Sequence, residues 1–194
     1  MTDPSQEDIR PWPRQSSQVV GHYPIFSIRA DQKTSPRTGK DHLFYVIECR
    51  DWVNVIALTP ENRLVMVQQL RHGSDTIELE IPGGVMDPED ASPIATAVRE
   101  LREETGYEGH RARVIGDVFP NPAIMSNRCR TVLIEDCVLK HPRELDAGED
   151  LVTEVIDLDE IPAAVSSGSI GHALVIAALF YFDLDRKRER FPRP

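Results

Sequence analysis

The chain has 194 residues, 40 % hydrophobic and 28 % charged, and its 22 Lys and Arg stand against 32 Asp and Glu, a formal charge of −10. That length suits one globular domain with its own core, and the acidity argues against a nucleic-acid partner, which is held by neutralising phosphates with Lys and Arg. The three cysteines, Cys49, Cys129 and Cys137, are widely spaced and odd in number, so neither a disulfide framework nor a zinc cluster follows and a cytoplasmic setting is expected.

Residues 1–18 are polar and proline-rich and read as an arm, without the apolar run of a signal peptide. Residues 19–30 (VVGHYPIFSIRA) predict a strand, 31–41 a loop, and 42–49 (HLFYVIEC) a second strand rich in aromatic and β-branched residues. Strands follow at 52–58, 64–70 and 76–81, with a turn at TPEN, 59–62. Pro82, Gly83 and Gly84 end the last of these sharply. Ser92 as N-cap, Pro93 as first helical residue and Gly106 as stop then frame a helix, PIATAVRELREET. At about 100° per residue, Ile94, Val98 and Leu101 make one narrow apolar stripe, while Glu100, Glu103 and Glu104 share an arc of about 100° on another side. Further strands are expected at 113–119, 131–139 and 151–157 and helices at 161–165 and 170–184, before a basic tail at 186–194. The apolar run at 170–182 is too short for a bilayer, which needs about 20 residues, so no membrane role is expected. The sum is an α+β chain: mixed sheets flanked by the Glu-rich helix and the C-terminal helices, with the domain proper at 51–185 and a strand segment at 19–50 before it.

The charge is concentrated. Residues 78–108 hold nine acids against two bases and residues 135–160 ten against two, −7 and −8, which leaves +5 for the rest. Three carboxylates on one helical face repel by a few tenths of a kcal/mol per pair. A hard divalent cation relieves that repulsion by taking carboxylate and carbonyl oxygens, keeping several waters and meeting a phosphate. A solvated acidic face is the other account of the same pattern.

The surrounding motif discriminates between them. Residues 80–108, EIPGGVMDPEDASPIATAVRELREETGYE, resemble the Nudix box of the Nudix hydrolase superfamily. The core pattern R-E-L-x-E-E-x-G-hydrophobic falls on Arg99, Glu100, Leu101, Glu103, Glu104, Gly106 and Tyr107. The resemblance extends over about residues 19–184 and implies a Nudix-type α/β/α sandwich. One departure stands out: the loop before the helix is a residue longer than the family pattern, and Glu89 or Asp90 takes the place of its usual Glu.

The resemblance implies a Nudix pyrophosphohydrolase that cleaves a nucleoside diphosphate linked to another moiety, with Mg²⁺, or Mn²⁺ in its place. Glu100 and Glu104 are the implied metal ligands with the Gly83 carbonyl; Glu103 is a ligand or a support for the ligands, and Arg99 holds the carboxylates. The chain looks most like the ADP-ribose pyrophosphatase and nucleoside diphosphate sugar hydrolase branch. There a proline follows the box, as Pro122 does sixteen residues past Gly106, although the loop NPAIMSN points to a broader nucleotide-sugar range than ADP-ribose alone. The branch also carries a catalytic glutamate on a later loop, matched by Glu149 in DAGED. Arg71 resembles its diphosphate-binding arginine and Arg50 a residue near base or phosphates. Phe26 or Trp52 is suited to stack on a base, and Glu80 of E-x-P-G-G is grouped with these substrate residues. The branch forms homodimers by exchanging N-terminal strands, here residues 19–50. The alternatives are another Nudix substrate class, such as dinucleoside polyphosphates, or a non-catalytic nucleotide-sugar sensor. The six histidines show no ligand spacing and read as structural or exposed.

Overall fold

The computed structural model describes residues 9–190; the first part of the expected arm and the last four residues of the tail lie outside them. The chain divides into two compact units, one of Met1–Cys49 with Asn121–Asn127, the other of Arg50–Pro120 with Arg128–Pro194.

The first unit is an antiparallel sheet of β1 (Arg14–His22), β2 (Ser27–Thr34) and β3 (Asp41–Glu48), in that order. Two expectations need correction here. The single strand at 19–30 is a hairpin: Pro24 cannot donate to a ladder, the Tyr23 amide donates to the Phe26 carbonyl at 2.9 Å, and the two rings pack 4.8 Å apart across the turn. The arm already becomes a strand at Arg14, although RQSSQ shows no apolar alternation. A polar anchor replaces that alternation: Asp31 of β2, 0 % exposed, accepts from Ser17 Oγ at 2.7 Å, Arg29 Nε at 2.9 Å and Arg14 Nη1 at 3.4 Å. Burial alone would raise the Asp31 carboxyl; these donors hold it below the ordinary range. Residues 121–127 hook onto β3, the Ile47 amide donating to the Ile124 carbonyl at 2.7 Å.

The second unit holds β4 (Trp52–Ala57), β5 (Arg63–Arg71), β6 (Thr76–Glu80), β7 (Gly83–Val85), α1 (Pro93–Thr105), β8 (Tyr107–Val118), β9 (Cys129–Leu139), β10 (Leu151–Asp157), α2 (Ile161–Ser167) and α3 (Ala173–Arg190). One sheet is mixed, in the order β7-β4-β9-β8 with β4 parallel to β9; the other is antiparallel, β10-β5-β6. The period of two along the central strands sorts their side chains into two cores. Val53, Val55 and Ala57 of β4 join Val65, Val132, Ile134 and the α1 residues Ala97 and Leu101. Ile56 of β4 joins Leu64, Met66, Leu133, Ile161 of α2 and Val175, Ala178 and Phe182 of α3. The unit is therefore the expected helix–sheet–helix sandwich, with α1 on one face and α2 and α3 on the other.

Helix α1 has the expected bounds, but its buried face is rotated from the predicted stripe. Val98 is 42 % exposed, and the inward positions are Thr96, Ala97, Glu100, Leu101, Glu104 and Thr105. Small residues bring the helix close to the sheet, and two of its acids go inside with them. At the other end, α3 runs on to Arg190 where a basic tail outside the helix was expected from 186. Helix α3 also starts later than predicted, with Ile170 buried ahead of it.

Leu101 is 1 % exposed in the α1 core, so Leu101→Ala should cost about 2–5 kcal/mol. Val98→Ala should stay within about 0.5 kcal/mol. Urea unfolding of both variants checks this; equal losses would mean that the predicted stripe is the packed one after all.

Candidate active site

Local chemistry positions α1 before any packing does. Ser92 Oγ accepts from the Ala95 amide at 3.2 Å, and Gly106 takes the left-handed conformation (φ 76°) while its amide caps Arg102 at 2.8 Å. Between these caps, Glu100 and Glu104 lie one turn apart and face the turn at Gly83 and Gly84. Glu104 is 2 % exposed and accepts from the Gly83 amide at 3.0 Å. Glu100, 7 % exposed, lies where a Cβ on Gly84 would stand. Gly83 is constrained from the other side, because a Cβ there would strike the Val53 carbonyl. These glycines serve close approach, of helix carboxylates on one hand and of β4 on the other.

Arg99 organises the rim. It donates to Asp90 through Nε at 3.3 Å and Nη2 at 2.9 Å, to Glu103 through Nη1 at 2.9 Å and to the Val85 carbonyl at 3.2 Å, with Nη1 also 3.0 Å from Glu100. Asp90, of the two candidates at that point in the lengthened loop, is thus the one bound to the arginine. Its other oxygen contacts are the Thr96 hydroxyl at 2.9 Å and the Asp87 amide at 3.0 Å. Arg99 foremost, with those donors, holds the Asp90 carboxyl down at about 2.

The inner pair has the opposite electrostatics. Burial pushes Glu100 up to about 7, with Glu103 and Glu149 adding to the rise and Arg99 opposing it. Burial pushes Glu104 to about 8, against the Gly83 amide and with Glu100 and Glu149 adding. Glu149 is therefore close enough in the fold to act on both. It sits in a tight turn, its amide donating to the Asp146 carbonyl at 2.9 Å and its carboxylate accepting from the Asp146 amide at 3.1 Å.

A second cluster lies on the β5–β6 hairpin. Glu80, 1 % exposed, accepts from Arg71 Nε and Nη2, both at 2.6 Å, and faces His172 Nδ1 at 2.9 Å. Burial alone would raise its carboxyl, but Arg71 and His172 hold it at about 2. Glu80 thus grips Arg71, and Arg71 lies within the field of Glu104. His172 was missed in the sequence because no spacing relates it to Glu80. Arg50 pairs with Asp87 at 2.7 Å, and so borders the same loop as Arg99. Trp52, half-buried, opens β4 between Val85 and Cys129. Phe26 and Pro122 belong to the N-terminal unit and not to the one holding the carboxylates.

The Glu100 and Glu104 carboxylates face the Gly83–Gly84 turn from α1, and carboxylate oxygen is what a hard divalent cation takes. Among the described residues no three His, Cys, Asp or Glu side chains form a complete cage. Glu103 in particular is engaged by Arg99. Glu100 and Glu104, crowded and short of positive charge, fit an ion that fills its remaining positions with backbone oxygen, water or substrate.

The NUDIX domain model matches residues 49–178. The ADP-ribose pyrophosphatase of Bacillus subtilis (strain 168) is 32 % identical over 133 residues, 68 % of this chain and 71 % of that one. The methanol dehydrogenase activator of Bacillus methanolicus is 50 % identical over 134 residues, again 68 % and 71 %. The crystal structure of an ADP compounds hydrolase has the same fold, with a TM-score of 0.81 over 97 % of this chain and 100 % of that one, at 17 % identity.

The raised carboxyls make a stability prediction. In the unfolded chain Glu100 and Glu104 titrate near 4.5, in the folded one at about 7 and about 8. The folded protein binds more protons across that window, so metal-free stability should fall as pH rises from 5 to 8. Glu80 and Asp90 have the opposite sign: their contribution is complete above about 4.5 and is lost towards about 2. Thermal unfolding in chelator should show a lower Tm at pH 8 than at pH 5, and Glu104→Gln should flatten the slope. An unchanged slope in that variant would refute the burial account.

Proposed function

The chain belongs to the NUDIX domain family and is a pyrophosphohydrolase of it, and we propose that it hydrolyses the diphosphate bond of nucleoside diphosphate sugars of the ADP-ribose, ADP-glucose or GDP-mannose type. The products are a nucleoside monophosphate and a sugar phosphate, and the metal is Mg²⁺, with Mn²⁺ able to replace it. The observation that carries this reading is the buried pair Glu100 and Glu104 facing the Gly83–Gly84 turn, with Glu149 in their field. The pyrophosphatase relative supports the substrate class.

In this reading Glu100, Glu104 and the Gly83 carbonyl hold the cation, and Glu103 and Arg99 keep the carboxylates in place. A cation held there would supply charge compensation for the diphosphate and lower the pKa of a bound water. Glu149 is the general base, taking the proton of the attacking water as its oxygen bonds to one phosphorus while the bridging P–O bond breaks and the other phosphate leaves with that oxygen. Arg71 and Arg50 present guanidinium donors to the diphosphate, a geometry suited to phosphate oxygens. Glu80 orients Arg71. Trp52 is assigned to stacking on the base. The chain is read as a homodimer exchanging residues 19–50, supported by Val19, Val20, Leu43, Phe44 and Tyr45, which are all exposed. A cytoplasmic location is supported by cysteines that are few, odd in number and widely spaced; no helix among the described residues is long and apolar enough to cross a membrane.

The 50 % identity to the methanol dehydrogenase activator favours a second reading, in which the chain also raises the rate of a dehydrogenase. Adding purified protein to methanol dehydrogenase tests it directly.

A substrate panel with Mg²⁺ should give turnover of ADP-ribose, ADP-glucose or GDP-mannose and not of dinucleoside polyphosphates. Glu104→Gln should abolish most activity, and Glu149→Gln should lower kcat by about 10²–10⁴-fold. Full activity of Glu104→Gln would refute the metal assignment, and tight binding without turnover would favour a sensor.

A further inference from the structure

His172 was read from sequence as structural or exposed, and nothing in the chemistry above uses it directly. Its surroundings give it a role. The connection ahead of α3 is tied down at several points. The Leu79 amide donates to the Ser169 carbonyl at 3.3 Å, Asn54 Nδ2 donates to the Leu174 carbonyl at 3.0 Å, and the His172 carbonyl accepts from the Val175 and Ile176 amides at 3.0 and 3.1 Å. The imidazole therefore stands on a stiff base.

From that base it meets the carboxylate that grips Arg71. Oε1 of Glu80 takes Arg71 Nε, while Oε2 takes both Arg71 Nη2 and His172 Nδ1. An ionised carboxylate only accepts, so Nδ1 carries the proton in this contact. Glu80 closes β6 and Arg71 closes β5, and the arginine reaches the carboxylate along the hairpin. The Arg71 side chain is still 42 % exposed, against 2 % for Glu80. Its fork is thus fixed on one side and open to solvent on the other.

A flexible arginine loses rotamer freedom when it binds an anion, and fixing it beforehand removes that cost from binding. The two-bond fork fixes Arg71 and Glu80 to one another, whereas a donor on a rigid element also ties that pair to the start of α3. We propose that His172 is a positioning residue: through Glu80 it locks the Arg71 guanidinium in the orientation that receives the substrate diphosphate. This rests on the reading of Arg71 as a diphosphate-binding group.

The test combines a spectrum with kinetics on the full chain. Arg71→Ala identifies the Arg71 Nε–H signal in a ¹H–¹⁵N spectrum of the metal-free protein. That signal should be sharp in the parent chain, broadened or shifted in His172→Ala, and restored in His172→Asn, whose amide can donate from a similar place. With ADP-ribose and Mg²⁺, His172→Ala should raise KM about tenfold with little change in kcat, the signature of lost ground-state and transition-state binding alike. In an Arg71→Ala background the same substitution should add nothing. A signal unmoved by His172→Ala, or a KM effect that persists without Arg71, would overturn the inference while leaving the proposed function intact. Absence of turnover with every nucleotide sugar would overturn the proposed function, and the Nε–H signal would still decide whether His172 fixes Arg71.

Discussion

Two carboxyl groups one helical turn apart, both removed from water, constrain everything around them. Desolvation and mutual repulsion act in the same direction, and Glu149 adds to both. Such a pair persists only where the fold supplies partial positive charge and leaves room for more. The Gly83 amide supplies part of it to Glu104, and Arg99 supplies part to Glu100. The close approach this requires explains why the turn is built from two glycines: one side chain there would meet the Glu100 carboxyl and the other the β4 backbone. The small inward residues of α1, Ala97 and Thr96, meet the same requirement from the helix side.

The rim around this pair is charge-balanced where the centre is not. Arg99 engages Asp90, Glu103 and Glu100 at once, and Asp90 is folded back by its own loop through Asp87 and Thr96. Arg71 repeats the principle on the neighbouring hairpin: a buried carboxylate, Glu80, turns a mobile cation into a fixed one. Around the site, Asp90 and Glu80 thus orient arginines, while Glu100 and Glu104 face the Gly83–Gly84 turn.

Much of this was legible in the chain. Ser92, Pro93 and Gly106 bound α1 because capping is a local matter of backbone donors and acceptors. The strands from β4 to β6 and β10 were readable because their apolar residues alternate or run continuously. Strand β1 was not, since RQSSQ is held by backbone pairing and by Asp31, seventeen residues beyond Arg14. Val98 misled for a related reason: periodicity locates an apolar stripe but does not say which edge of it the sheet covers. At the C-terminus, charge suggested a tail beyond the helix where the helix continues to Arg190.

The motif R-E-L-x-E-E with its glycines determined the family, the helix and the carboxylates, because those depend on residue type at fixed spacing along one element. Tertiary structure alone decided that Glu100 and Glu104 are buried while Glu103 is held at the rim by Arg99, that Asp90 rather than Glu89 takes the arginine, and that Glu80 joins Arg71 to His172 across 92 positions of sequence. Burial and long-range pairing arise from how elements pack on one another, and a one-dimensional pattern carries the chemistry of each partner without the distance between them.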